Sequence, residues 1–299
     1  MIGWKGVFLV LTVLGLGRIG FRIHTRYFSN EAEITVWDVG QGDSILLQLP
    51  RGRNFLMDTG GGSRNELLGE ELVRELSRKG ILKLNGLLIS HPDADHLEGA
   101  FPLLRKIKVE KIGFSAPLLG LPAAELRLNR LLAEAQSRGI PITPISESVQ
   151  VPIGPAQLRL TPSLPDQALT PNNLGLITEL EVYGCRFLFP GDIEKEAEAV
   201  YPNTSNLPVT VLKVAHHGSR TSSRREFLER FRPQVAVISV GADNRYGHPR
   251  HEVIARLRHY HTQVFRTDFH GYVSFRVLPK GEVHCQSAQG TCGKFQCAP

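Results

Sequence analysis

Residues 90–99 read SHPDADHLEG. His91, Asp93, Asp95 and His96 stand directly behind the short apolar run 86–89. Two imidazoles and two carboxylates released at the end of one strand put hard and borderline ligands at one point, which is how a dinuclear metal site is assembled. As a purely structural loop the stretch would cap the next helix, with Asp95 as N-cap. That alternative is costly, because four such groups brought together without a cation leave their polarity uncompensated.

Working outward, residues 33–39, 44–49 and 54–58 read as a β-meander with turn residues between apolar runs. Residues 65–79 carry helical spacing and stop at Gly80. The loop 90–96 leads into a helix over 97–106, a strand at 109–114 and an amphipathic helix over 123–138. The second half repeats this sense. Strands are expected at 156–161, 175–183, 186–190, 208–215 and 234–240, and helices over 193–201, 224–231 and 253–259. Further strands are expected near 263–267, 271–277 and 282–286. The proline-bearing stretches 141–155 and 162–171 read as loops. Strands interrupted by helices in two similar halves predict two sheets with helices packed outside, and sites at strand ends.

Polar clusters recur at those strand ends. Asp58 closes the third strand, Asp192 follows Phe189-Pro190-Gly191, and His216-His217 closes a buried strand. His248 sits in Tyr246-Gly247-His248-Pro249. The turn DVGQGDS at 38–44 contributes Asp38 and Asp43, but it joins two strands and so lacks the strand-to-helix setting of a dinucleotide loop. No nucleotide cofactor is expected.

In this order and spacing, DVGQGDS (38–44), LMDTGG (56–61), ISHPDADHLEG (89–99), FPGDIE (189–194), KVAHHGS (213–219) and YGHP (246–249) resemble the metallo-β-lactamase fold superfamily. Within it they are most similar to the extracytoplasmic hydrolase domain of ComEC-type competence proteins. The resemblance runs from Glu33 to Val283 and implies a four-layer αββα sandwich of α/β class. It also implies one or two divalent ions, Mn²⁺ or Zn²⁺ with Mg²⁺ as a third choice. Two departures from the superfamily pattern H-x-H-x-D-H stand out. Asp93 replaces the second histidine, and no histidine occurs between Leu97 and Gly191, where Asn172-Asn173 occupies the corresponding place. ComEC-type domains are similar in both respects.

Carried over, the resemblance gives a first site of His91, Asp93 and a bridging Asp192. The second takes Asp95, His96, Asp192 and one of His216 and His217. The first site is poorer in nitrogen, which favours Mn²⁺ or Mg²⁺ over Zn²⁺; the second is the better formed. Asp58, Asp38, Asp43 and Asn173 are expected behind the ligands, with Asp58 orienting them. Asp95 or Asp93 would orient the attacking water. His248 and whichever of His216 and His217 holds no metal, with His216 as the candidate, would donate to phosphate or protonate the leaving oxygen.

Composition frames the rest. A hydrophobic content of 41% suits a packed core, and the net charge of +6 favours polyanionic partners. Residues 6–17, GVFLVLTVLGLG, are apolar but short of the roughly 20 residues a spanning helix needs. Residues 1–28 therefore read as a signal-like or anchoring segment, or the cut end of a longer membrane protein, ahead of a hydrolase domain over 32–286 and a cysteine-containing tail over 287–299. Cys285, Cys292 and Cys297 do not form a zinc-ribbon pattern, and a disulfide stapling the tail is expected. Cys185, in an apolar strand, is expected simply to be packed.

The resulting expectation is an extracytoplasmic metal-dependent phosphodiesterase or nuclease. Its substrate would be DNA in competence-type uptake, with Arg220, Arg224, Arg225, Arg230 and Arg232 as a phosphate track. The membrane would be reached through the N-terminal segment or a parent channel. Two alternatives remain: a small-substrate hydrolase of phosphocholine-esterase type, and a non-catalytic DNA-binding module.

Overall fold

The computed structural model describes residues 29–61, 65–165 and 169–297. The apolar segment 1–28 lies outside the described residues. Among the described residues no helix is long and apolar enough to cross a membrane.

Two large mixed sheets face each other. Across the first, the strands run Gly290–Gln296, Glu282–Ser287, Val273–Val277, Ala32–Val36, Ile45–Leu49, Arg53–Met57, Gly86–Ile89, Ile112–Ser115 and Ile142–Ile145. Across the second they run Gln263–Arg266, Val235–Ile238, Val211–Lys213, Cys185–Phe189, Leu176–Val182, Ala156–Pro162 and Val149–Ile153. Side-chain alternation along a strand explains the layering. Ile45 and Leu47 face the core between the sheets, where they join Ile34, Leu180, Phe187 and Phe275. Leu46, between them in sequence, faces the opposite way and packs with Leu72, Leu76 and Leu103 from the helices Asn65–Arg78 and Ala100–Lys106. On the far side, Leu188, Leu212 and Ile238 pack against Phe227, Leu228 and Leu257 from the helices Arg225–Phe231 and His251–His259. The result is the expected helix–sheet–sheet–helix sandwich.

Three expectations need correction. The stretch 141–155, read as loop, contains the strands Ile142–Ile145 and Val149–Ile153, the facing edges of the two sheets. Pro144 and Pro152 are tolerated because an edge strand has one side that needs no ladder donor. The tail 287–299 includes Gly290–Gln296, paired with Glu282–Ser287 as an edge strand of the first sheet. Finally, Cys185 is not simply packed but bonded to Cys297 across 112 residues, while Cys285–Cys292 agrees with the expected disulfide of the tail. The first bond ties the second sheet to the chain end. In the chain-entropy model, a loop of that length corresponds to about 4–5 kcal/mol.

Candidate metal centre

Parallel pairing brings the ligand-bearing loops together. Arg53–Met57 lies beside Gly86–Ile89 in register Met57 to Leu88, so Asp58 and Ser90 emerge side by side. In the second sheet, Cys185–Phe189, Val211–Lys213 and Val235–Ile238 are parallel neighbours that release Asp192, His217 and Ser239 at the same end. Gly42 allows the turn 38–44 to press onto the metal-ligand loop. It has φ +126°, and a Cβ there would lie 2.0 Å from the carbonyl oxygen of Asp95.

One carboxylate oxygen is the meeting point. Asp192 Oδ2 lies 3.3 Å from His96 Nε2, 3.2 Å from His217 Nε2 and 4.0 Å from His91 Nε2. Asp95 closes the group from the open side, its Oδ2 3.6 Å from His217 Nε2. Each imidazole is gripped by its other nitrogen. His96 Nδ1 bonds to Asp58 Oδ2 at 2.9 Å, His217 Nδ1 donates to the carbonyl of Ser239 at 2.8 Å, and His91 Nδ1 lies 3.0 Å from Ser90 Oγ. Such bonds fix the ring and leave Nε2 facing inward, the arrangement of a ligating histidine. Asp58 also accepts from the backbone N–H and hydroxyl of Ser90, at 2.7 and 2.6 Å.

Sequence neighbours His216 and His217 part company. Both have left-handed backbones, with φ 51° and 53°. This conformation is uncommon outside glycine and is held only where surroundings enforce it. It turns His217 into the cluster and His216 out of it, with Nδ1 3.5 Å from Glu194 Oε1. His217, not His216, is therefore the member placed to hold a cation. Asp93 is at the rim: its Oδ2 lies 3.7 Å from His91 Nε2, but its side chain is 42% exposed.

The supporting residues are also sorted. Asp43 is buried behind the rings, 3.8 Å from His96 Nδ1 and 3.7 Å from His217 Nδ1. Asn173 accepts from the Glu194 backbone N–H at 2.8 Å, which holds the loop after Asp192. Asp38, expected behind the ligands, is exposed and instead accepts from Gly40 N–H within its own turn. His248 stands beyond His216, their ring centres 5.8 Å apart.

Lys213 was not anticipated. Its ammonium is fully buried, ion-paired to Asp43 and 3.1 Å from Asp192 Oδ1. A lysine inside the apolar run VTVLKVA at 209–215 was the available signal. A charge buried in such a strand needs a partner.

The electrostatics follow. Burial alone would lower the His96 pKa, but Asp192 and Asp58 raise it well above the usual value. His217 is likewise raised to about 9, Asp192 outweighing burial. His91, pushed down by burial and by His96, stays neutral. Burial would raise Asp192, yet His217, Lys213 and His96 hold it well below the carboxylate range. Asp43, Asp58, Asp95 and Asp192 converge here, and Lys213 is paired with two of them, Asp43 and Asp192. Three inward imidazole nitrogens in an acidic pocket fit a divalent cation, and His91, His96 and Asp192, and Asp95, His96 and His217, are groups whose ligand atoms lie close enough together to hold one.

The arginine track is reduced. Arg230 donates to the carbonyls of Glu198, Ala199 and Tyr201, and Arg232 to that of Glu229. Arg225 pairs with Glu229. Arg220, paired with Glu252, and Arg224 remain on the surface, lining with Arg225 and Arg256 a hollow that also holds Glu226 and Glu252.

Comparison with known proteins agrees with this geometry. Residues 37–242 match the model of the metallo-beta-lactamase superfamily. The chain is 35% identical over 264 residues to ComE operon protein 3 of Bacillus subtilis, covering 83% of this chain and 33% of that protein. It is 30% identical over 259 residues to competence protein ComA of Neisseria gonorrhoeae, covering 86% and 34%. It thus spans about a third of the length of these curated relatives. Among solved structures, the metallo-beta-lactamase fold protein YhfI of Bacillus subtilis aligns with a TM-score of 0.52 at 9% identity, over 82% of this chain and 99% of that one. Fold, ligand cluster and matched family agree: this chain belongs to the metallo-beta-lactamase superfamily, in its ComEC-like branch.

Proposed function

We propose that this domain is a metal-dependent phosphodiesterase that cuts DNA on the extracytoplasmic side of a membrane, as part of competence-type DNA uptake. The observation that carries the hydrolase reading is the meeting of three anchored Nε2 atoms on Asp192 Oδ2. Similarity to a protein named as a competence protein supports DNA as the substrate. Two disulfides among the described residues support an oxidising compartment.

His91, His96, His217, Asp95 and Asp192 would hold a divalent cation, which when bound would supply Lewis acidity and make water more acidic. The protein's own contributions are positional. Asp58 and Ser239 keep two of the imidazoles aimed, and Lys213 keeps Asp192 ionised and still. Asp95, partly open to solvent, accepts a hydrogen bond from the attacking water and orients it. His248 is pushed down to about 4 by burial and by the neighbouring His216 and His217. It is neutral at pH 7, so its N–H can donate to a phosphoryl oxygen, but it carries no spare proton for a leaving group.

The purified domain, incubated with Mn²⁺, Mg²⁺ or Zn²⁺, is tested on DNA and on small phosphodiesters. Metal-dependent DNA cleavage that disappears in Asp192→Ala is the expected result. Turnover of small esters alone moves the domain to a small-substrate hydrolase. DNA binding without turnover in any metal leaves a non-catalytic binding module.

A further inference from the structure

A file of flat rings leads from the metal cluster to the surface. The His217 and His216 centres are 6.3 Å apart, those of His216 and His248 5.8 Å, and those of His248 and Tyr246 5.7 Å. The first two steps are edge-on, with interplanar angles of 74° and 78°. The last is stacked, at 23°. Tyr246 ends the file and is 45% exposed. The Arg245 guanidinium lies 5.1 Å from the Tyr246 centre, and its Nη2 donates to the Tyr246 hydroxyl at 3.1 Å.

The loop holding Tyr246 is braced. Asn244 Nδ2 donates to the carbonyls of Gly241 and His248 at 2.8 Å, and His248 N–H donates back to Asn244 Oδ1 at 2.9 Å. Arg250 N–H is bonded to the carbonyl of Gly218, next to the His pair, at 2.9 Å. The ring is therefore presented by a fixed backbone tied to the metal-ligand loop, so little ordering is needed when something docks on it.

We propose that Tyr246, backed by His248 and flanked by Arg245, is a stacking platform for an unpaired nucleobase of the substrate, three ring contacts out from His217. An aromatic face with an adjacent guanidinium is the surface on which single-stranded nucleic acid stacks, and it tolerates any base because every base has a π-face. A base within a duplex already has both faces covered, so the platform favours single-stranded segments or frayed ends. The proposal rests on the phosphodiesterase reading and gives it a substrate preference.

The Mn²⁺-loaded domain is assayed on a single-stranded oligonucleotide and on the same strand with one abasic position at each site in turn. The wild type is expected to show a position at which base removal lowers kcat/KM about tenfold to a hundredfold. In Tyr246→Ala that ratio falls to near one, and in Tyr246→Phe it is retained. A ratio unchanged in Tyr246→Ala, or lost in Tyr246→Phe as well, overturns the platform. Fluorescence anisotropy of the same strands separates the two readings. If the wild type cuts nothing, the phosphodiesterase reading fails. The platform then stands only if the base-bearing strand binds more tightly than the abasic one and Tyr246→Ala erases the difference.

Discussion

The two halves of the loop 91–96 differ in how firmly the fold holds them. In Asp95-His96 the imidazole is fixed on every side, and the carboxylate, 26% exposed, reaches His217. The His96 side chain is 0% exposed, its Nδ1 is bound by Asp58, and its Nε2 faces Asp192 and His217. In His91-Asp93 only the imidazole is buried, while the Asp93 side chain is 42% exposed. A ligand gains affinity from being held in place before the cation arrives. The difference teaches that the inner half supplies the permanent seat and the outer half an adjustable arm.

The largest expected effect tests that contrast directly. His96→Ala should lower metal-dependent cleavage by at least about a thousandfold, since it removes several kcal/mol of transition-state stabilisation. Asp93→Ala should cost less than about tenfold. Metal content measured on the two proteins should show the same order. Equal losses in both variants would erase the distinction between the halves.

Lys213 sharpens the contrast from behind. It pairs with Asp43, behind the inner rings, and with Asp192, which lies closer to His96 than to His91. Replacing one partner of a buried ion pair leaves charge uncompensated and typically costs about 3–5 kcal/mol. Lys213→Met should therefore lower the urea midpoint by an amount matching that loss. A midpoint within error of the wild type would mean that Asp192 is not held by this ammonium.

A second buried carboxylate supplies the counter-example. Glu198 is buried like Asp192, but its close partners are the backbone N–H groups of Ser223 and Arg224. Burial raises it from 4.5 to about 7, whereas Asp192, ringed by cations, is lowered. Between those two pH values the folded chain binds more protons at Glu198 than the unfolded one. Stability from this group therefore falls as pH rises from 4.5 to about 7, then levels off. The full change is about 3 kcal/mol. Urea titrations across that range should show the wild type losing stability relative to Glu198→Gln as pH rises. Parallel curves would show that Glu198 keeps an ordinary pKa.

Much of this was legible in the chain. Apolar runs ending in SHPDADH, FPGD and AHHG marked strand ends rich in ligands, because parallel strands release such groups at one edge. Less visible were features that depend on two distant segments. Pro144 and Pro152 disguised strands because their tolerance depends on lying at sheet edges. Cys185 looked like a packing residue because its partner is 112 positions away.

The sequence by itself determined the family, the layer order and the ligand types, since periodicity and motif spacing are local properties. Tertiary structure alone decided which candidate ligands face the cluster. It turned His217 inward and His216 outward through two left-handed residues, left Asp38 at the surface and placed Lys213 against Asp192. These outcomes depend on backbone direction and on charges from strands far apart in the chain, and neither is written in residue order.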